Sequence, residues 1–431
     1  MRMKLNKSSQ LALVSAATLA AAALITACGT LTTDFVFVTS SRAAGTNNYG
    51  EIDVFEINKE SGFMRQIPTS PFPSGGRNPV AEAVSGDQDN LYVVNQDDNS
   101  IVQFAIGNDG KVYPQNTVNT PGIYPMAIAV NGTNLFVVDA YQPLPICSTA
   151  DPCSGSIGVL PITIGSGSPP SDPPSSTSVA NGDLAYWPLC LTGYTYSTTT
   201  STWSCAGTEG DVIVPTAVNV LKSGAAVFVT AYDSTVSPNV GYVFGFTVGT
   251  GGALTPFPGL PHNMGVGSRS LGIRPSAIAS DPTSTYVFVT DATNGIVVSY
   301  SVASGALTKI SDTPSGNQPS AIVTDPVYPY LYVANAEDST VTAYSMSNGA
   351  LTNLGNYATG LQPVAIGIDP STNHFLFTAN FLGNGNVGSV SGFVLSPTAG
   401  TLINSEDSPF TSNAQPTAVA AIPHNTPATS K

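Results

Sequence analysis

PSAIASDPTSTYVFVTDATNGIVVSYSVASGALT (275–308) and PSAIVTDPVYPYLYVANAEDSTVTAYSMSNGALT (319–352) are two copies of one unit, and they decide the fold. Each opens on a proline and runs through a short apolar strand into an Asp-Pro turn. An aromatic-rich strand follows, then a second apolar strand and a Gly turn leading into a Leu. A third copy starts at Pro363 with PVAIGIDPSTNHFLFTAN. The three prolines are evenly spaced, at the period of about 40–45 residues that four strands of a propeller blade require. The same phase recovers Pro79, Pro125, Pro215 and Pro416, so seven prolines open seven inner strands. A proline suits the first residue of a strand, where no ladder N–H is needed. The strands alternate or are wholly apolar, as befits sheets stacked between two others.

The chain ends complement each other. FVFVTS (35–40) reads as the second strand of a blade, and PTAVAAIP (416–423) as a first strand lacking its partners. The C-terminal strand should therefore complete the N-terminal blade and leave no long free edge. The expectation is an all-β, seven-bladed β-propeller of four-stranded blades over residues 35–424, with a tail at 425–431. An overcounted repeat would give six or eight blades, and the complementary ends select seven.

Composition agrees. Of 431 residues only 9% are charged, against about 25% in an ordinary domain. Yet 42% are hydrophobic, which excludes disorder. A net charge of −14 argues against a nucleic-acid partner. The surface must be polar but mostly uncharged.

LYVVNQDDNSIVQF (91–104) and LYVANAEDSTVTAY (331–344) resemble the YVTN-type and lactonase-type seven-bladed propellers, and the resemblance spans essentially all of residues 35–424. It implies the fold, whereas chemistry has to be argued from the site. Lactonase-type enzymes are expected to use His, Glu and Arg on the top face, the face on which each inner strand begins. This sequence departs from that pattern. Of its histidines, His374 falls in a bottom turn and His424 in the tail. Only His262 falls on top, in a loop shared with Arg269 and Arg274. A lactone hydrolase needs a base or activated water and a positive group on the carbonyl oxygen. His262, Arg274 and Asp291 are the candidate catalytic set for that reading.

Bottom turns are short (DPTSTY, DPVYPY, ASGALT), whereas the insertions fall on top. Long loops in a compact domain usually carry function, neutral loop growth being the alternative. The insertion at 165–211 is the longest. Its SGSPPSDPPSST start is Pro-rich, and a β-hairpin is expected between Cys190 and Cys205. We expect it to lie over the channel mouth as a lid. Tyr186, Trp187, Tyr194, Tyr196 and Trp203 would offer a stacking surface for a sugar or peptide, or else form the insertion's own core. Cys147, Cys153, Cys190 and Cys205 all fall in this blade's top insertions. Sequence proximity favours the pairs 147–153 and 190–205, with zinc as the alternative to disulfides.

Two rings of repeated positions stand out. The residues before the inner-strand prolines, Asn78, Tyr124, Val214, Arg274, Gln318, Gln362 and Gln415, should circle the channel mouth. With Asp139 their polar members are the candidate ligand-binding set, Arg274 supplying fixed positive charge. The alternative is a water-filled funnel. At the ends of the second strands stand Ser40, Asn95, Asp139, Ala231, Asp291, Asn335 and Asn380. Side-chain turns to backbone N–H groups are their expected role, with Asp139 and Asp291 the carboxylates best placed to face the funnel. The turn Gln96-Asp97-Asp98-Asn99 could hold Ca²⁺ but lacks a strong ligand pattern. No other metal and no cofactor is implied.

The N-terminus reads as an export signal. Arg2, Lys4 and Lys7 precede an Ala- and Leu-rich run, then Ile25-Thr26-Ala27-Cys28. Small residues before a cysteine resemble a bacterial lipobox, which implies a peptide at 1–27, lipid on Cys28 and a short tether at 28–34. The alternative is an ordinary secretory signal. The expected protein is an envelope-anchored monomer, held to a membrane by lipid alone. Its top face would bind a polar small molecule, glycan or envelope protein, or would act as a lactone hydrolase.

Overall fold

The computed structural model describes residues 32–41, 48–58, 61–143, 153–162, 185–197, 202–205, 210–259, 261–265, 272–303, 306–370, 375–383 and 387–423. The expected signal peptide and Cys28 lie outside them. So do Cys147, Arg269, His374 and His424.

Seven antiparallel sheets form the ring. Blade 5 has the order Pro275–Ser280, Tyr286–Asp291, Ile296–Ala303, Ala306–Pro314, from the axis outward. Blade 6 repeats it with Pro319–Thr324, Tyr330–Asn335, Thr340–Ser347 and Ala350–Ala358. In blades 1, 4 and 7 the outer strand is broken into two short pieces pairing with one third strand. The ring closes as the chain ends require. Pro416–Pro423 pairs along Thr32–Ser40, with Val36 opposite Ala421 and Val38 opposite Val419, and becomes the innermost strand of blade 1.

Apolar side chains alternate to the two faces of each blade and meet those of its neighbours, giving seven inter-blade clusters. Phe55, Phe104, Leu160, Phe246, Tyr300, Tyr344 and Phe393, one repeated third-strand position, are all buried in them. A sandwich of sheets on both sides leaves little area for charge, which accounts for the low charged fraction.

One expectation fails. The 165–211 insertion is not a lid over the channel in its described parts. Ala185–Pro188 pairs with Ser156–Pro161 as the outer strand of blade 3. The hairpin does form, Tyr194–Ser197 against Thr202–Cys205, closed by the Cys190–Cys205 disulfide. It sits at the rim, where Tyr194 meets Phe246 edge-on at 6.1 Å. Trp187, Leu191 and Tyr194 join the core between blades 3 and 4. Apolar burial decided this: the blade lacked a fourth strand, and the aromatics filled the cleft rather than face water. The side chains of Tyr196 and Trp203 lie outside the described residues. Cys153 is disulfide-bonded as well.

Candidate functional site at the channel mouth

Each inner strand begins with a β-bulge. The register slips between the opening proline and the residue two further on, as at Pro275/Ala277, Pro319/Ala321 and Pro79/Ala81. The extra residue is turned out of the ladder, which is how bulges aim side chains. At Ser276, Ser320 and Thr417 the extra residue is a hydroxyl. It donates to the carbonyl of the next blade's opening proline, Ser276 Oγ to Pro319 at 2.5 Å, Ser320 Oγ to Pro363 at 2.6 Å and Thr417 Oγ1 to Pro79 at 2.8 Å. Each hydroxyl keeps a lone pair for a ligand.

The residue before the proline is held just as regularly. Asn78, Tyr124, Gln318 and Gln362 have φ of 51°, 64°, 49° and 54°, a left-handed backbone that few side chains tolerate without support. The support is in the turns. The carbonyls of Asn78, Arg274, Gln318 and Gln362 accept from the N–H of Gln96, Ala292, Ala336 and Phe381 at 2.9–3.0 Å. Below them the Asn/Asp ring locks the incoming loop. Asn335 Oδ1 accepts from Gly316 N at 3.0 Å, and Asp139 Oδ2 from Gly122 N at 3.0 Å. A Cβ at Gly316 or Gly122 would stand 2.6 or 2.5 Å from those side chains, so glycine is required there.

This ring is structural, as expected, but its carboxylates do not face the funnel. Asp139 and Asp291 are fully buried. Asp291 accepts from the N–H of Arg274 at 3.2 Å and Thr293 at 3.1 Å, and from Asn294 Nδ2 at 2.6 Å. Burial pushes Asp139 up to about 7 against the pull of its Gly122 and Thr120 hydrogen bonds. Neither carboxyl reaches the cavity.

The cavity itself, about 440 Å³, lies between blades 3 and 6. Met126, Thr216, Arg274, Ser276, Gln318 and Ser320 line it, with Thr293 at the side. Of the expected ligand set, Arg274 and Gln318 therefore meet in one wall. Asn78 is spent on Gln96 and Asp97, and Tyr124 leans on Tyr141 with ring centroids 6.4 Å apart. Gln362 and Gln415 are half-buried at the start of blades 7 and 1 and are not in the cavity wall. The bulge residues Met126, Thr216, Ser276 and Ser320 were missed by sequence reasoning. The hydroxyl side chain that follows four of the seven prolines, at Thr216, Ser276, Ser320 and Thr417, was the available signal.

Arg274 is the one charged residue among the described residues that line the cavity. Its guanidinium lies 5.1 Å from the Tyr232 ring centroid, a cation–π contact that orients it. Among the described arginines, Arg65 pairs with Glu56 and Arg77 with Asp98, while Arg274 has no carboxylate in ion-pair range. Arg77 also occupies the Asp98 carboxylate of the acidic turn Gln96-Asp97-Asp98-Asn99.

His262 is a correction. It sits in the broken outer strand of blade 4, opposite Val243, and packs edge-on against Tyr300 with centroids 5.1 Å apart. Three strand spacings of about 4.8 Å separate an outer strand from an inner one. Burial and the Lys309 ammonium hold its pKa below the usual histidine value. The set His262, Arg274 and Asp291 is not brought together: one is at the rim, one at the mouth, one buried beneath it.

The comparisons agree with this architecture. The family model described as Lactonase, 7-bladed beta-propeller matches residues 47–144 and 255–420, and the chain belongs to that family. A search among curated proteins finds no match. A candidate 6-phosphogluconolactonase from Bacteroides fragilis is 20% identical with a TM-score of 0.63, covering 90% of this chain and 98% of that one. The Pseudomonas aeruginosa periplasmic gluconolactonase is 17% identical with a TM-score of 0.59, covering 90% and 99%. A Sulfolobus tokodaii protein named for selenium binding is 10% identical with a TM-score of 0.61, covering 90% and 93%. At these identities the likeness is one of fold, and the fold serves differently named proteins.

Proposed function

We propose that this member of the seven-bladed lactonase propeller family binds a polyhydroxylated carboxylic acid, or the corresponding lactone, at the channel mouth between blades 3 and 6. The observation that carries the reading is Arg274, a guanidinium without an ion-pair partner among the described residues, in the wall of a cavity whose other described lining is hydroxyls, an amide and apolar side chains. A guanidinium offers paired donors to a carboxylate or a carbonyl oxygen. Thr216, Ser276 and Ser320 offer acceptors to ligand hydroxyls, and Gln318 offers both kinds of partner. Neighbours named for gluconolactones supply the ligand class.

Binding without turnover is the reading favoured by the cavity wall. Its described lining has no carboxylate or imidazole to activate water. We place the protein in the cell envelope, exported and lipid-anchored through Cys28, acting as a monomer that takes up a sugar acid or presents it to an envelope partner.

The test is calorimetric titration with gluconate and with gluconolactone, beside a lactone hydrolysis assay. Binding of either in the micromolar to millimolar range, weakened by Arg274→Ala and with no hydrolysis above background, supports the reading. Enzymatic turnover would replace it with a hydrolase, and unaltered binding in Arg274→Ala would remove the site.

A further inference from the structure

One inner-strand position, opposite the middle of the second strand, is aliphatic in every blade but one. The third residue after the opening proline is Ile128, Val218, Ile278, Ile322, Ile366 and Val419 in six blades, packed between neighbouring sheets. In blade 2 it is Glu82, opposite Val93. A carboxyl in an aliphatic slot has to be explained by what it touches.

Glu82 touches both ends of the chain. Its Oε2 accepts from Thr39 Oγ1, on the strand Thr32–Ser40, and its carboxylate accepts from the backbone N–H of Ala420, on the strand Pro416–Pro423. Those are the two strands that meet only to close the ring. Its Oε1 is shielded from solvent with no partner. On the opposite face of the same closing blade, Asp34 lies against Asp369 of blade 7, and both are fully buried. The N-terminal strand is thus gripped from blade 2 and from blade 7 by carboxyl groups.

We propose that the closing blade is a proton-dependent latch: its terminal strands stay docked while Glu82 and Asp34 carry protons, and loosen when those protons leave. Two buried carboxyls face to face cannot both ionise without repulsion. An ionised Glu82 would leave Oε1 charged, dry and unpartnered.

The hydrogen bonds from Thr39 and Ala420 favour an ionised Glu82, and burial outweighs them. Facing Glu82, the strand Pro416–Pro423 bears no titratable side chain, and neither does the rest of Pro79–Val84. Tyr92 turns to the opposite core, between blades 2 and 3. Facing Asp34 on the blade 7 side are Asp369 and, further along that interface, Glu51 and Asp53. Asp53 is held by Gln66, Ser412 and Asn413. Glu51 is buried beside it, its Oε1 unpartnered. Burial pushes Asp34 up to about 9, with Asp369 adding to the rise, and Glu82 up to about 8. The folded state therefore holds protons that the unfolded chain releases near pH 4, and the stability they confer is lost as pH rises through 8 and 9.

The test is amide exchange, corrected for intrinsic rates, at pH 6 and pH 9.5. The closing strands are compared with Pro319–Thr324 of blade 6 as an internal control. Protection of 32–40 and 416–423 should fall at least about tenfold on raising the pH while blade 6 holds. The variant Glu82→Ile combined with Asp34→Asn should lose most of that pH response. Equal loss in both regions, or an unchanged response in the double variant, overturns the latch. If the double variant fails to fold, the isosteric singles Glu82→Gln and Asp34→Asn take its place, each expected to remove part of the response.

Discussion

The channel mouth and the closing seam use charge in opposite ways. At the mouth one guanidinium stands at the cavity wall with no ion-pair partner among the described residues, and hydroxyls line the same cavity. At the seam Asp34, Glu51, Asp53 and Glu82 are built into the inter-blade packing, where blade 5 carries Ile296, Val298 and Ile278 at the positions of Glu51, Asp53 and Glu82. In a chain with so few charges, both placements are costly, but they answer different needs. An unpaired charge open to solvent costs little stability and is available to a ligand. A buried carboxyl gives nothing to a ligand and makes the fold depend on protonation. The mouth should therefore answer to ligand and salt, the seam to pH.

The largest expected break in that contrast is Arg274→Ala. Hydrogen bonds to charged groups contribute about 1.5–3 kcal/mol, so affinity for gluconate should fall by a factor of about 10 to 100. The thermal midpoint of the free protein should barely move, because the side chain is exposed. Calorimetry and a melting curve read both halves. Next comes Asp291→Ala, which strips the cap from the Arg274 and Thr293 N–H groups. It should cost about 1–3 kcal/mol of stability by leaving part-buried donors unmet, and weaken ligand binding several-fold because the loop carrying Arg274 loses its anchor. Denaturant titration and calorimetry on one preparation would show whether the two losses travel together.

The pH response comes third. Asp34, Glu82 and Glu51, pushed up to about 9, 8 and 7, each carry a proton in the fold that the unfolded chain gives up near pH 4. Stability should be greatest in mild acid and decline as pH rises from 6 to 9.5, by a few °C or more in thermal midpoint. A rising midpoint over that range would contradict the seam's description. Gln318→Ala should be smaller, about a two- to fivefold loss of affinity for one neutral hydrogen bond. Smallest at the mouth is Cys190→Ser with Cys205→Ser. The hairpin lies at the rim, so gluconate affinity should change less than twofold even as the hairpin loosens.

The fold was legible because its signals are local and repeated. Seven prolines open seven inner strands, and FVFVTS and PTAVAAIP announced the closure. The site was legible only in part. Arg274 and Gln318 precede prolines, and the cavity does include them. The bulge that turns Ser276 and Ser320 into the wall is a backbone event, and the hydroxyl after the proline is its one trace in the sequence. His262 looked central because loop membership says nothing of radius; pairing with Val243 carried it to the rim. The 165–211 aromatics misled for a related reason. Blade 3 needed an outer strand, and burial of Trp187 outweighed exposure over the channel. Glu82 was passed over because one acid in an apolar strand reads as an irregularity until its two strand partners are seen.

The most direct test of the mouth is a crystal structure of the protein with gluconate. The predicted result is a ligand between blades 3 and 6, its carboxylate within hydrogen-bonding distance of the Arg274 guanidinium and its hydroxyls against Ser276, Gln318 or Ser320. A ligand seated elsewhere, at the His262 rim or on the bottom face, with the cavity beside Arg274 holding only solvent, would contradict it.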